Sequence, residues 1–113
     1  MKIFKILKDY RTKYEDPIIL SVGDLVNLGE EEKEEKWKGW IWAEIDIKKG
    51  WIPIQIVEIS ADKKKGKILE NYTAKELNVD KVDQVLKIKA LNGWTWVRKT
   101  NNEEGWIPDE IIE

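Results

Sequence analysis

The chain contains neither histidine nor cysteine, so any acid–base or nucleophilic chemistry would fall to Asp, Glu, Lys, Tyr or the two serines, Ser21 and Ser60. Neither serine sits in a nucleophile motif. Carboxylates are plentiful, yet no pair is marked by its spacing as an acid and a base facing one another across a cleft. The run Glu30 to Glu35 has the charge to attract a hard cation but lacks the ligand spacing of a calcium loop. The glycines at 23, 39, 50, 66, 93 and 105 read as turn residues, and none forms a phosphate-binding motif. No catalytic residue, metal site or cofactor is therefore expected, and the chain reads as a non-enzymatic protein. The residues left to do chemistry are aromatic: seven Trp and three Tyr in 113 residues. Their chemistry is contact, through flat amphipathic rings that bury much area at little entropic cost.

The elements that must position these rings are β-strands. The apolar runs are short, alternate with period two, are rich in Ile, Val and Trp, and end at Gly or Pro. The clearest are Asp24–Leu28, Trp40–Ile45 and Val85–Ile88, with hairpin turns expected at Ile47–Gly50 and Asn101–Gly105. No stretch offers an amphipathic helix of three turns. Trp40 and Trp42 lie two apart, as do Trp94 and Trp96, so each pair points to one face of its strand, opposite Ile41 and Ala43 in the first case. If Ala43 faces the core, the indoles lie outside it. Trp40 and Trp94 are then expected at a binding surface, and Trp42 and Trp96 as covers for loops or a neighbouring unit.

An internal repeat organises the chain. ILKDY at 6–10 returns as ILENY at 68–72, GWIWAE at 39 returns as GWTWVR at 93, and Gly50-Trp51-Ile52-Pro53 returns as Gly105-Trp106-Ile107-Pro108. Between the first two landmarks, LSVGDLV at 20–26 matches VDKVDQV at 79–85. The stretch SADKKKGK at 60–67 lacks apolar periodicity and is the expected boundary, giving one domain at 1–59, a linker at 60–67 and a second domain at 68–113. Eight residues reach at most about 28 Å, so the halves are expected to be neighbours that stabilise each other, since domains this small bury only about 60% of their unfolded surface.

Composition bounds the partners. A net charge of −2 and a pI near 5.4 argue against strong attraction to nucleic acid or anionic lipid, despite the basic stretch Lys63, Lys64, Lys65 and Lys67. The acidic loop and the basic stretch read as solvated. The absence of cysteine removes disulfides and thiolate–metal sites, and no apolar run approaches the roughly 18–20 residues that span a bilayer. The expected setting is cytoplasmic, without membrane association. Oligomeric state is not legible.

The order of these landmarks resembles, twice over, that of the Src homology 3 (SH3) family. The matching stretches are ILKDY, Ile18-Ile19-Leu20 with Gly23-Asp24, GWIWAE and GWIPIQIV in the first copy, and ILENY, Leu77-Asn78-Val79 with Asp83, GWTWVR and GWIPDEII in the second. The Lys-, Ile- and Glu-rich composition looks prokaryotic. The resemblance implies an all-β fold of two small five-stranded SH3-like barrels in tandem. It also implies a shallow aromatic groove for proline-containing peptides in the polyproline II conformation. Carried over by position, the groove residues are Tyr10, Trp40, Trp51 and Pro53 in the first copy and Tyr72, Trp94, Trp106 and Pro108 in the second. Glu15 with Asp16, or Glu76, would meet a basic residue of the ligand. Lys8 and Glu70 replace the first tyrosine of the family's signature, and Ile56 and Ile111 replace the tyrosine that closes the groove, so one of two proline pockets lacks aromatic walls in each copy.

The function expected from this reading is a protein- or peptide-binding adaptor. The alternatives are a structural or inhibitory assembly subunit binding through another surface, or recognition of cell-wall peptides.

Overall fold

The computed structural model describes residues Lys2–Glu113. The fold is all-β: among the described residues there are eleven strands, three short 3-10 turns and no α-helix. No helix is long and apolar enough to cross a membrane. The strands are β1 (Phe4–Lys5), β2 (Ile19–Leu20), β3 (Leu25–Glu31), β4 (Trp40–Ile45), β5 (Lys48–Pro53), β6 (Val57–Ile59), β7 (Lys65–Ile68), β8 (Tyr72–Thr73), β9 (Gln84–Leu91), β10 (Trp94–Lys99) and β11 (Glu104–Pro108). All strand pairs are antiparallel.

The chain divides into two compact units, but not at the expected place. One, the continuous unit, is Asp16–Ala74; the other, the split unit, joins the residues up to Glu15 with Lys75–Glu113. The continuous unit holds a five-stranded sheet in the order β5-β4-β3-β7-β6 and the small pair β2-β8, and the split unit holds a four-stranded sheet in the order β1-β9-β10-β11. Neither sheet closes into a ring by strand pairing among the described residues. The division into 1–59, 60–67 and 68–113 is thus corrected: residues 60–67 are no linker. They form a tight hairpin turn and most of β7, which pairs back on β6 through Val57↔Ile68, Glu58↔Lys67 and Ile59↔Gly66.

The two repeats have exchanged their first strands. Phe4↔Val85 and Lys5↔Gln84 correspond to Gly66↔Val26 and Lys67↔Leu25. The bridge Ile6↔Ile112 corresponds to Ile68↔Val57, and Tyr10↔Val79 to Tyr72↔Leu20. ILKDY therefore completes the second repeat, and ILENY completes the first.

The physical reason lies in loop length. The start of the second repeat follows the end of the first after only a few residues, so pairing the two costs little chain entropy. Pairing β6 with the chain's own N-terminal strand would close a loop of about 50 residues instead of about 6, roughly three doublings and about 2 kcal/mol dearer. Turn chemistry reinforces the local choice. The Ser60 hydroxyl donates to the Asp62 carboxylate at 2.6 Å, which also accepts the Lys64 amide at 2.9 Å. Ser60 and Lys65 join through backbone and side chain, and Lys63 adopts φ 63°. The turn holds the Asp62 carboxyl below the usual carboxylate range, through the Ser60 hydroxyl first and the Lys64 amide second.

Each unit has its own core. Ile18, Leu20, Val26, Ile41, Ala43, Ile52, Ile56, Val57 and Ile68 fill the continuous unit. Ile6, Leu77, Val79, Val85, Val97, Ile107, Ile111 and Ile112 fill the split one. Ala43 and Val97 are fully buried, as the alternation along β4 and β10 requires. The β9–β10 hairpin turns on Asn92-Gly93, both at positive φ, the pair preferred for a two-residue turn. The β4–β5 turn falls at Asp46-Ile47, between the partners Ile45 and Lys48. It lies slightly ahead of the expected Ile47–Gly50 because Asp46 supplies the positive φ.

Candidate functional site

Strand exchange regroups the aromatic residues. Tyr10 does not join Trp40 and Pro53, as the order of the sequence suggested; it belongs to the split unit with Trp94, Trp106, Pro108 and Glu76. Its ring meets Trp94 edge to face, with centroids 6.2 Å apart. Trp94 lies opposite Pro108 in the β10–β11 ladder. The Tyr10 hydroxyl donates to Glu76, and burial first, then this carboxylate, pushes the phenol far above its ordinary range. The phenol therefore remains a neutral donor throughout the physiological range. Tyr10 and Trp94 are both half-buried, leaving part of each ring at the surface beside a carboxylate.

In the continuous unit the corresponding residues are Tyr72, Trp40, Trp51 and Pro53. Trp40 pairs with Pro53 and Trp42 with Trp51 across β4 and β5, and the Trp42 and Trp51 rings meet edge to face at 5.3 Å. The expectation that Trp40 stands exposed is corrected: only 7% of it is accessible, whereas Trp51 is 36% exposed. On this face the ring nearest solvent is Trp51. The split unit reverses the pattern, since Trp106 is 6% exposed and Trp94 half-buried.

The segment after Ala74 bonds along the edge of β11 at Trp106. The Trp106 amide donates to the Lys75 carbonyl at 2.9 Å, and the Leu77 amide donates to the Trp106 carbonyl at 3.0 Å. Glu76 lies between them in a parallel bridge. Across the ladder Trp96 meets the Trp106 ring edge to face at 5.5 Å, and its Nε1 donates to Glu104 at 2.8 Å.

The expected acidic residues do not act as a group. Glu15 ends the first segment of the split unit, whereas Asp16 opens the continuous unit and pairs with Lys48 at 3.0 Å. Glu76 is the acid beside aromatic rings. The loop carrying Glu30 to Glu35 borders an open depression of about 540 Å³ that also presents Lys33 and Lys63; Lys33 pairs with Glu30 at 3.6 Å, both well exposed. Ile56 and Ile111 are buried members of the two cores, so the positions that would close each groove contribute packing. Lys8 and Glu70 are exposed.

Some ordering groups escaped the sequence reading. Arg11 reaches the carbonyls of Val79 and Tyr10 and the carboxylate of Asp80, and it holds that carboxyl below the ordinary range. Glu104 accepts from Trp96 and Arg98 and is likewise lowered, by Trp96 first. Thr95 donates to Asp109 at 2.6 Å. The Arg98↔Glu104 register was a readable signal, because opposite charges facing each other across a hairpin are a familiar cross-strand pair. Arg11 gave no such signal, since its partner belongs to the other repeat.

Comparison with known proteins identifies the family. A model of the variant SH3 domain matches residues 3–60, more than half of the chain. The match runs through ILKDY and on to β6, so it follows the first repeat in sequence while crossing from one structural unit to the other. The chain is similar to mouse SH3 and PX domain-containing protein 2B, with 26% identity over 126 aligned residues covering 97% of this chain. The human protein of the same name gives the same identity and coverage. The chain spans only 13% of the length of these relatives. No solved structure matches it. On the strength of the domain match, the repeat landmarks and the antiparallel sheets, the chain belongs to the SH3 family, as a variant SH3 domain protein.

Proposed function

We propose that the chain is a cytoplasmic, non-enzymatic adaptor in which each unit is one SH3-like barrel, and that it binds an extended, proline-containing peptide through the Tyr10 and Trp94 rings of the split unit, with the buried Pro108 behind them. The observation carrying this reading is the edge-to-face pair Tyr10–Trp94, half-exposed and set opposite Pro108. Two rings at such an angle form a ridge and a slot into which a proline ring packs, and a polyproline II ligand loses little entropy on binding. Glu76 accepts the Tyr10 hydroxyl and offers its remaining lone pairs to a basic residue of the ligand. The continuous unit supplies a second surface built around Trp51, with Trp40, Pro53 and Tyr72 behind it.

Membership of a family of interaction modules supports binding over catalysis, and the lack of His and Cys is consistent with it. The absence of cysteine also suits a reducing compartment. With Ile56 and Ile111 buried, each ligand is expected to engage one aromatic pocket instead of two. Affinity should therefore be modest for either unit alone.

The test is titration of the full chain with a panel of proline-rich peptides bearing a flanking arginine, followed by intrinsic tryptophan fluorescence. Trp94→Ala should lower affinity at least about thirtyfold, the equivalent of a central aromatic anchor, with the melting transition retained. A panel that binds neither wild type nor variant, or equal binding by both, would place the partner surface elsewhere and favour the assembly-subunit reading.

A further inference from the structure

Four equivalent contacts bind ILKDY to the second repeat and ILENY to the first, so either segment has the backbone pattern to enter either slot. What differs is the side chain at the start of each. Phe4 takes the place opposite Val85, and Gly66 takes the matching place opposite Val26. A Cβ added at Gly66 would lie 2.5 Å from Val57 Cγ2 and 3.1 Å from Leu28 Cδ1, so the slot in the continuous unit is already filled. In the split unit the position of Leu28 is held by Lys87, two residues beyond Val85 as Leu28 is beyond Val26. Its ammonium stands 4.0 Å from the Phe4 ring centroid. One slot is thus glycine under leucine, and the other is phenylalanine under lysine.

We propose that these two matched pairs, Phe4 with Lys87 and Gly66 with Leu28, are the selector that assigns each exchanged strand to its unit. Phe4 cannot enter the continuous unit without displacing Val57 and Leu28, because a packed core resists an added ring. In the split unit the same ring is met by the exposed, flexible side chain of Lys87, whose ammonium lies over the ring face and can move aside for it. Arg11 adds a polar selection in the same direction. It meets Asp80, whereas the residue at Asp80's place in the first repeat is Ser21: the Ser21 amide donates to Asp24 as the Asp80 amide does to Asp83. The turn at Ser60–Lys65 makes the interleaved arrangement easy to reach, and the selector makes it specific. The device matters for recognition because it decides which tyrosine stands beside which tryptophan.

The test uses the full chain, which has no native cysteine. Lys5, Gln84 and Leu25 are exposed, and Lys5→Cys, Gln84→Cys and Leu25→Cys together make disulfide formation by the thiol at position 5 a competition. A 5–84 disulfide reports the interleaved chain, since Lys5 pairs with Gln84. A 5–25 disulfide reports the self-contained one, since Leu25 is the partner of the equivalent Lys67. With the Ser60–Lys65 turn lengthened by a Gly/Ser insert so that both arrangements can be reached, the chain should form the 5–84 bond in a glutathione buffer. Transposing the selector, Phe4→Gly with Gly66→Phe, should shift the ratio toward 5–25 by at least about tenfold, as expected of one overpacked side chain. An unchanged ratio in a folded chain would overturn the proposal. Should the transposed chain fail to fold, Gly66→Phe alone in the natural chain should lower Tm, and adding Leu28→Lys should restore part of it by recreating the Phe4–Lys87 pair. Absence of that restoration would overturn the proposal equally.

Discussion

The two units are built from the same landmarks, yet they bury opposite tryptophans. In the continuous unit the first Trp of the repeat, Trp40, is buried and Trp51 is exposed; in the split unit Trp94 is half-exposed and Trp106 is covered. The edges of the two sheets differ at the matching strand. In the split unit Lys75–Leu77 bonds along the edge of β11 through the Lys75 carbonyl and the Leu77 amide, both to the Trp106 backbone. The two units thus differ in which tryptophan is nearest solvent, while their cores are built from corresponding residues.

The largest expected effects test this inversion. Trp40→Ala and Trp106→Ala should each cost about 3–5 kcal/mol of stability, as buried aromatic truncations do, whereas Trp51→Ala and Trp94→Ala should cost clearly less. Urea denaturation of the four variants would show it. Equal losses at all four would erase the distinction between the units.

A smaller effect concerns the glycines on the edge strands. A Cβ at Gly105 would come within 2.9 Å of the Leu77 backbone nitrogen, whereas one at Gly50 would meet Ile18 side-chain atoms no closer than 3.5 Å. Gly105→Ala should therefore destabilise by about 1–3 kcal/mol, because backbone held by hydrogen bonds cannot give way. Gly50→Ala should stay within about 0.5 kcal/mol of wild type. Thermal melts of the two variants decide the matter.

The loops entering β3 and β9 differ as well. Gly23 has φ 90° and its counterpart Val82 φ 69°, a conformation costly for a β-branched side chain. Val82→Gly should raise stability by about 1 kcal/mol, and Gly23→Val should lower it by at least as much, readable from denaturant midpoints.

The smallest effect is electrostatic. Trp96 and Arg98 hold the Glu104 carboxyl below its ordinary range. Its contribution is complete above the unfolded-state value of about 4.3 and is lost as pH falls through the lower folded value. Glu104→Gln should lower the neutral plateau slightly and leave stability unchanged below the folded value, so that the acid limb flattens in that window. An unaltered acid limb would remove Glu104 from this role.

Much of the fold was legible in the sequence. Trp40–Ile45 was readable to the residue, because alternation with Ala43 on the core face leaves little freedom of register. The all-β class, the repeat and the family followed from landmarks that each mark a turn or a strand. The division into units was not legible. The same backbone contacts serve ILKDY and ILENY, so nothing in either segment's apolar pattern names its partner; the choice rests on loop entropy at Ser60–Lys65 and on a Phe-for-Gly difference. For the same reason Tyr10, named as a candidate beside Trp40, lies beside Trp94 instead. The burial of Trp40 was likewise hidden, since strand alternation gives the face of a side chain and not what lies over it.

The interleaved chain is tested most directly by excision. Residues 16–74 and residues 1–59 contain the same four tryptophans, Trp37, Trp40, Trp42 and Trp51, and differ in which first strand they carry. The 16–74 fragment should unfold cooperatively in urea as a monomer, with β-type circular dichroism and buried tryptophan emission, whereas the 1–59 fragment should lack a cooperative transition. A 1–59 fragment that folds as a stable monomer while 16–74 remains unfolded would contradict the exchange of strands on which this account rests.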